Sequence, residues 1–175
     1  VIRLEPLAPG HAPALQVLLE DPAIAETTPF PHPYPSDGAE RYVGESMALR
    51  DAGTKYVFAV CEPDDRAVGM ALLKDVDTAK GQGELGYWIG RPYWGAGRAT
   101  TAAALALAFA FETLDLRTVH AVCLETNPAS LRVLWKLGFT ESGRMVQYLP
   151  KRAEPRPSIE FTLDREAWQA HFDGT

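Results

Sequence analysis

The 175-residue sequence is poor in the features that mark several common protein classes. It has two cysteines, Cys61 and Cys123, both inside apolar strand-like runs and without a CxxC spacing. A disulfide framework is therefore not expected, and both read as buried, reduced thiols. Four histidines (His11, His32, His120, His171) are scattered without ligand spacing, so no metal is expected. The longest apolar run, Ala102 to Phe111, is far shorter than the ~20 residues of a membrane span. No stretch resembles a signal peptide. Basic residues are outnumbered, 17 Lys and Arg against 23 Asp and Glu, for a formal net charge of −6. That balance argues against nonspecific nucleic-acid binding, which needs Lys and Arg to meet phosphates. It leaves cationic substrates such as amines electrostatically welcome. The expectation is a cytoplasmic protein with no metal, nucleic acid or membrane among its partners.

What is present fits one globular domain over residues 1–175, with 46% hydrophobic and 10% aromatic residues. Val1–Leu7 reads as a first strand. "APALQVLLEDPAIAE" carries apolar residues at helical spacing, broken at Pro22. Thr27–Gly38, "TTPFPHPYPSDG", holds four prolines in seven residues and must be a stiff loop. Such loops either line sites or merely connect, which makes Phe30, His32 and Tyr34 candidate substrate-binding residues. "SDGAERYVGESMALRDAG" reads as a helix closed by Gly53. "YVFAVCE" and "AVGMALLKDV" form a hairpin across "PDDR". There follow the strand "GQGELGYWIG", a long alanine-rich helix, the strand "RTVHAVCLET", the helix "NPASLRVLWKLGF" closing at Gly138, and two strands either side of the loop "PKRAEPRP". One strand–helix–strand unit in the second half should be parallel. The class is thus a mixed α/β (α+β) domain with a mostly antiparallel sheet.

Between the third hairpin-region strand and the long helix lies "YWGAGRATT", Tyr93–Thr101. A strand, a glycine turn and a helix together present unpaired backbone N–H groups at a positive helix end. Gly95, Gly97 and the small Ala99 would let a pyrophosphate come close, and Thr100 adds a hydroxyl. A dinucleotide fingerprint fits poorly, because the third glycine is missing and about ninety residues precede the loop. A phosphate loop of the lysine-bearing type fails as well, since no lysine follows the glycines. By itself the loop leaves a nucleotide site and a plain structural turn open.

Taken with Asn127–Phe139, the loop resembles the GNAT superfamily of N-acetyltransferases, and within it the RimJ/RimL-like branch that includes enzymes acting on ribosomal-protein N-termini. The superfamily signature falls on Trp94-x-x-Gly97-x-Ala99, with Trp94 in place of Arg or Gln. The branch pattern N-x-x-S-x-R-x-x-x-K-x-G-F is matched in full by Asn127, Ser130, Arg132, Lys136, Gly138 and Phe139. The resemblance implies a twisted sheet with helices on both faces, whose one parallel unit splays to admit acetyl-CoA. It implies that backbone groups of Trp88, Ile89 and Gly90 meet the pantetheine arm. Amides of Gly95, Ala96, Gly97, Arg98, Ala99 and Thr100, beside Trp94, would hold the pyrophosphate, with Arg98 either on a phosphate or simply solvated. Arg132 and Lys136 either approach the adenosine end or form a charged outer face. For catalysis it points to Ser130 and Asn127 beside the sulfur. Glu84, on the strand leading into the loop, is either the leading base, acting through a water, or a solvated strand carboxylate, and Glu160 is a weaker candidate; Cys123 is not expected to carry an acyl group. A departure stands at Leu134, where many members have the tyrosine that protonates the leaving sulfur. The implied activity is direct acetyl transfer from acetyl-CoA to a primary amine, an α-amine of a protein N-terminus or a small amine. The alternative is a non-catalytic acetyl-CoA-binding sensor. A homodimer is compatible with either.

Overall fold

The computed structural model describes residues 1–150 and 152–174, with Arg152 and Ala153 as backbone only. In chain order the elements are β1 (Arg3–Pro6), α1 (Ala12–Leu19), α2 (Pro22–Ala25), α3 (Gly38–Asp51), β2 (Tyr56–Cys61), β3 (Ala67–Asp77) and β4 (Gln82–Ile89). They continue with α4 (Arg98–Ala108), β5 (Thr118–Leu124), α5 (Pro128–Lys136), β6 (Thr140–Leu149), β7 (Arg152–Asp164) and α6 (Arg165–Asp173). The strands form a seven-stranded sheet in the order β1-β2-β3-β4-β5-β7-β6. Every pairing is antiparallel except β4 with β5, the expected parallel unit joined through α4. That parallel contact is short. It runs from Gln82↔Thr118 to Glu84↔His120, after which the two strands continue without pairing to each other.

Side-chain alternation sends successive residues of β4 to opposite faces. Leu85 and Ile89 join Val68, Ala71, Leu107 and Phe161 in a core covered by α4, α5 and α6. Trp88 joins Met70, Leu15, Leu19, Val43 and Val57 in a second core under α1 and α3. In α4, Ala102, Ala103 and Ala106 are fully buried, and their small side chains let the helix axis lie close to the sheet. The helix ends in a π-helical turn over Phe109–Thr113 rather than running on regularly. Cys61 and Cys123 are both buried and unbridged. Among the described residues, no helix is long and apolar enough to cross a membrane.

Two features depart from the sequence reading. The segment read as the loop "PKRAEPRP" is largely strand: β7 begins at Arg152 and pairs with β6 through Leu149↔Arg152 and Val146↔Pro157. Prolines are tolerated there because the strand pairing with β5 stops at Leu124↔Ser158, and beyond it Pro157 only has to accept, its carbonyl taking the Glu125 N–H. The chain also ends in a helix, α6, not in a strand. Its buried Trp168 stacks on Phe111 at 5.0 Å, and Phe172, four residues on, packs on Trp168 at 5.3 Å. A third finding concerns the histidines. His11 sits with Glu5 and Cys61, their polar atoms within 4.8 Å of one another. Its Nδ1 accepts from the Ala8 N–H (3.0 Å), which leaves the ring proton on Nε2 to be donated to Glu5 (2.9 Å). Both ring nitrogens are thereby committed to hydrogen bonds.

The closeness of β3 to the end of β4 depends on Gly69. A Cβ there would lie 2.2 Å from the Trp88 carbonyl oxygen and 3.0 Å from the Ile89 Cα, both backbone atoms that cannot swing aside. Gly69→Ala should therefore lose about 1–3 kcal/mol. Gly44→Ala, on the exposed side of α3 with nothing within 4 Å, should gain about 0.5–1 kcal/mol. Denaturant midpoints of the two variants check the opposite signs.

Candidate active site

Where β4 and β5 part, a cavity of about 1380 Å³ crosses the sheet. One side of it is walled by the glycine loop and the start of α5, the other by Phe30, Tyr34, Tyr42, Trp88 and Glu84.

On the first side the chain turns into α4 through two left-handed glycines, Gly95 (φ +84°) and Gly97 (φ +75°), the latter being the residue that caps the helix. A Cβ at either would meet nothing within 4 Å, so the bare backbone of this turn faces open space. The first-turn N–H groups of a helix have no intrahelical partners, and they carry the positive end of its dipole. Gly95, Gly97, Arg98, Ala99 and Thr100 line the cavity; Ala96 does not. Trp94 is half-exposed, and its indole N–H donates to the Ile89 carbonyl (2.7 Å), tying the loop back to the end of β4. Arg98 is less free than a phosphate contact requires. Its Nε is paired with Glu62, and a second nitrogen donates to the Tyr93 carbonyl (3.1 Å). Arg132 and Lys136, on α5, also line the cavity.

Strand polarity refines the expectation for residues 88–90. The Gly90 N–H donates to the Val68 carbonyl (2.8 Å), and a Cβ on Gly69 would strike the Trp88 oxygen, so the backbone groups of Trp88 and Gly90 face β3. Alternation turns those of Tyr87 and Ile89 toward the gap instead. Of the three residues expected to meet a pantetheine arm through their backbone, Ile89 alone faces the opening, and its carbonyl is already held by Trp94.

At the start of α5, Asn127 caps the helix as expected, its Oδ1 accepting from the Ser130 N–H (3.3 Å), with Pro128 in the first turn. The Ser130 hydroxyl lies 2.7 Å from the phenol oxygen of Tyr87, which also reaches the Ser130 carbonyl at 3.4 Å. Tyr87 was not foreseen. Alternation could place it on the face of β4 beneath the helices, but only the folded register sets it against Ser130. Burial pushes its pKa well above the usual phenol range, so the phenol stays protonated. The Cys123 thiol sits beside the pair. Burial raises its pKa and the Ser130 hydroxyl partly offsets that, which makes a poor nucleophile. Leu134, where a tyrosine might have stood, is packed in the core.

On the second side Glu84 occupies the last paired position before the strands part, opposite His120, and takes an ion pair from Lys74 (3.3 Å). Glu84 and His120 also line a smaller cavity of about 500 Å³ with Glu160. Phe30 forms an aromatic wall, packed edge-on against Tyr34, Tyr42 and Trp88 with centroids 5.3–6.0 Å apart. The proline loop thus does contribute to the cleft through Phe30 and Tyr34, whereas His32 is not among the lining residues. The Tyr34 and Tyr42 phenols are each pushed up to about 12 by burial. Lys55 lies over the Tyr42 ring (4.9 Å), its pKa lowered by burial and by Lys74.

The combination of a backbone cradle, a through-sheet gap and proton-bearing groups on both sides suits group transfer between two bound molecules. Comparison with known proteins agrees. The family profile described as "Acetyltransferase (GNAT) domain" matches residues 2–140. The "Putative ribosomal N-acetyltransferase YdaF" of Bacillus subtilis is 28% identical over 119 residues, covering 68% of this chain and 61% of the relative. The spermidine N(1)-acetyltransferase of Escherichia coli K12 is 29% identical over 111 residues, 63% of this chain and 60% of the relative. In these matches the chain spans about three-fifths of the length of its curated relatives. Among solved structures, Mycobacterium smegmatis RimJ in complex with CoA-disulfide superposes with a TM-score of 0.87 at 21% identity, covering 99% of this chain and 89% of that one. By its matched profile and its fold, the chain belongs to the GNAT acetyltransferase family.

Proposed function

We propose that the protein is an N-acetyltransferase that moves the acetyl group of acetyl-CoA directly to a primary amine, with an α-amine as the preferred acceptor. The observation that carries this reading is the single cavity running through the sheet where β4 and β5 part, with the glycine cradle on one side and Glu84 on the other. Acetyl-CoA supplies an activated thioester carbonyl. The backbone of Gly95–Thr100 at the α4 start suits its pyrophosphate, which the open space over Gly95 and Gly97 would admit. In direct transfer the neutral amine nitrogen forms a bond to the acyl carbon and the carbon–sulfur bond breaks. One proton must leave the nitrogen, and one must reach the sulfur. Glu84 is suited to the first, directly or through a water. The Ser130 hydroxyl is suited to the second, at the positive end of α5, where negative charge on sulfur is also favoured. Asn127 orients that turn by capping it.

Two considerations favour an α-amine. Relatives include both a ribosomal and a spermidine acetyltransferase, and their acceptors differ in charge. Among the described residues lining the acceptor side, Arg41, Lys55 and Lys74 outnumber Glu45 and Glu84, which leaves no acidic surplus to hold a polycation. Proton energetics point the same way. With a pKa of ~7.8, about a quarter of α-amines are neutral near pH 7.4, against ~0.1% of lysine side chains at ~10.4. A panel of acceptors assayed with acetyl-CoA should show free peptide N-termini acetylated well above spermidine and Nα-blocked lysine peptides. The reverse ranking would overturn the acceptor assignment, and no transfer to any amine would leave only the sensor reading.

The cradle is tested separately. Gly97→Val should abolish CoA binding by calorimetry while the protein stays folded, because its side chain would enter the space the pyrophosphate needs. The left-handed backbone should cost about 1–2 kcal/mol of stability. Unchanged CoA affinity would sink the assignment. Ser130→Ala should cut turnover at least tenfold, with CoA affinity and melting temperature nearly unchanged. Turnover within twofold of the parent at saturating substrates would mean that water protonates the sulfur.

A further inference from the structure

We infer that Tyr87 is a positioning residue for acetyl transfer: its phenol donates into Ser130 Oγ and thereby leaves the serine's own hydrogen free to meet the departing sulfur. The inference rests on the acetyltransferase reading above and goes beyond it, since the sequence motif contains no partner for the Ser130 hydroxyl.

The geometry decides the direction of the hydroxyl–hydroxyl bond. Two hydroxyls 2.7 Å apart share one hydrogen, and either oxygen could give it. Among the described residues, Tyr87 Oη has two partners, and both belong to Ser130: Oγ at 2.7 Å and the carbonyl oxygen at 3.4 Å. Were Ser130 the donor, the phenol hydrogen would be left with the long carbonyl contact as its one protein acceptor. With the phenol as donor, its hydrogen makes the short bond, and a phenol is the more acidic and therefore the stronger donor of the two. Burial holds Tyr87 in its protonated form, so the donor persists. The Ser130 hydrogen is then directed away from Tyr87, toward the cavity that both residues line.

The proton count closes without Tyr87 losing its hydrogen. As the nitrogen–carbon bond forms and the carbon–sulfur bond breaks, the amine proton passes to Glu84 or water. The sulfur takes its proton through the Ser130 hydroxyl, which is replenished from solvent in the open cavity, while the phenol remains a donor throughout. Leu134 explains why such an arrangement is needed. With no hydroxyl at Leu134, Ser130 carries the one α5 hydroxyl that lines the cavity, and Tyr87 on β4 is what orients it.

The test is a double-mutant cycle on the parent, Tyr87→Phe, Ser130→Ala and the double variant, with an amine the parent acetylates. Phe keeps the ring, so packing should hold. Tyr87→Phe is expected to lower kcat about tenfold. The acceptor KM, CoA affinity and melting temperature should stay within twofold or a few degrees of the parent. In the Ser130→Ala background the same substitution should change kcat less than twofold, because a residue that acts through Ser130 has nothing left to orient. Equal losses in both backgrounds would overturn the inference, as would a Tyr87→Phe loss that appears in CoA affinity or melting temperature instead of kcat. If Ser130→Ala leaves turnover intact, the inference falls while acetyl transfer stands. If the parent acetylates no amine, the functional reading falls and takes the inference with it.

Discussion

The parting of β4 from β5 after Glu84↔His120 is the constraint from which the site follows. A parallel pair that stops bonding while both strands continue leaves inward-facing N–H and C=O groups without ladder partners. Buried backbone groups in that state cost on the order of 1–3 kcal/mol each. The chain meets part of the demand itself. Trp94 donates to the Ile89 carbonyl. The rest of the demand is met by leaving a cavity, so that the groups of Tyr87 and Ile89 which face the gap are not sealed in apolar surroundings. A gap that needs an extended polar partner suits an amide-bearing arm such as pantetheine.

Because the gap runs through the sheet, it joins two faces built from different chemistry. One face presents backbone: the left-handed turn at Gly95–Gly97, the bare start of α4 and the capped start of α5. Backbone donors and helix ends recognise an anionic phosphate chain with little demand on side-chain identity. The other face presents side chains: the Phe30 wall, Tyr34, Tyr42 and the Lys55–Lys74–Glu84 row. Side chains change readily between relatives, so a conserved fold can keep its donor and vary its acceptor. The chain is similar to both a putative ribosomal and a spermidine acetyltransferase, which is compatible with such a division.

Legibility in the sequence divides along the same line. The glycine loop, the Asn127 cap, Pro128 and the helix-closing Gly53 and Gly138 are local, since each is a demand of backbone conformation on one residue, and each was readable in place. The hairpin of β2 with β3 and the parallel β4–α4–β5 unit followed from periodicity and connection length. What was not readable depends on register between distant segments. Tyr87 against Ser130 spans 43 residues, and Arg98 against Glu62 spans 36. Nothing local told Arg98 that a carboxylate after β2 would claim it, or His32 that its neighbours would face the cleft without it. The missed α6 is a different failure. Its Trp168 and Phe172 spacing was present, but nine residues at the chain end give too few turns to outweigh the strand pattern just before them.

The Tyr87–Ser130 pair shows how stability and catalysis separate at such a site. A phenol buried without a partner is costly, which would make the pair a structural bond in a closed core. Here both hydroxyls line a cavity large enough for water, and a water could take either role if its partner were removed. Stability therefore does not single out this arrangement. What water would not reproduce is direction: a mobile molecule beside Ser130 Oγ can donate or accept from many positions, whereas a protonated phenol fixed on β4, with the Ser130 carbonyl as its other contact, is set to donate along one line. The value of the tyrosine lies in removing the wrong orientations of the serine hydroxyl before the reaction begins, the entropic part of a preorganised site.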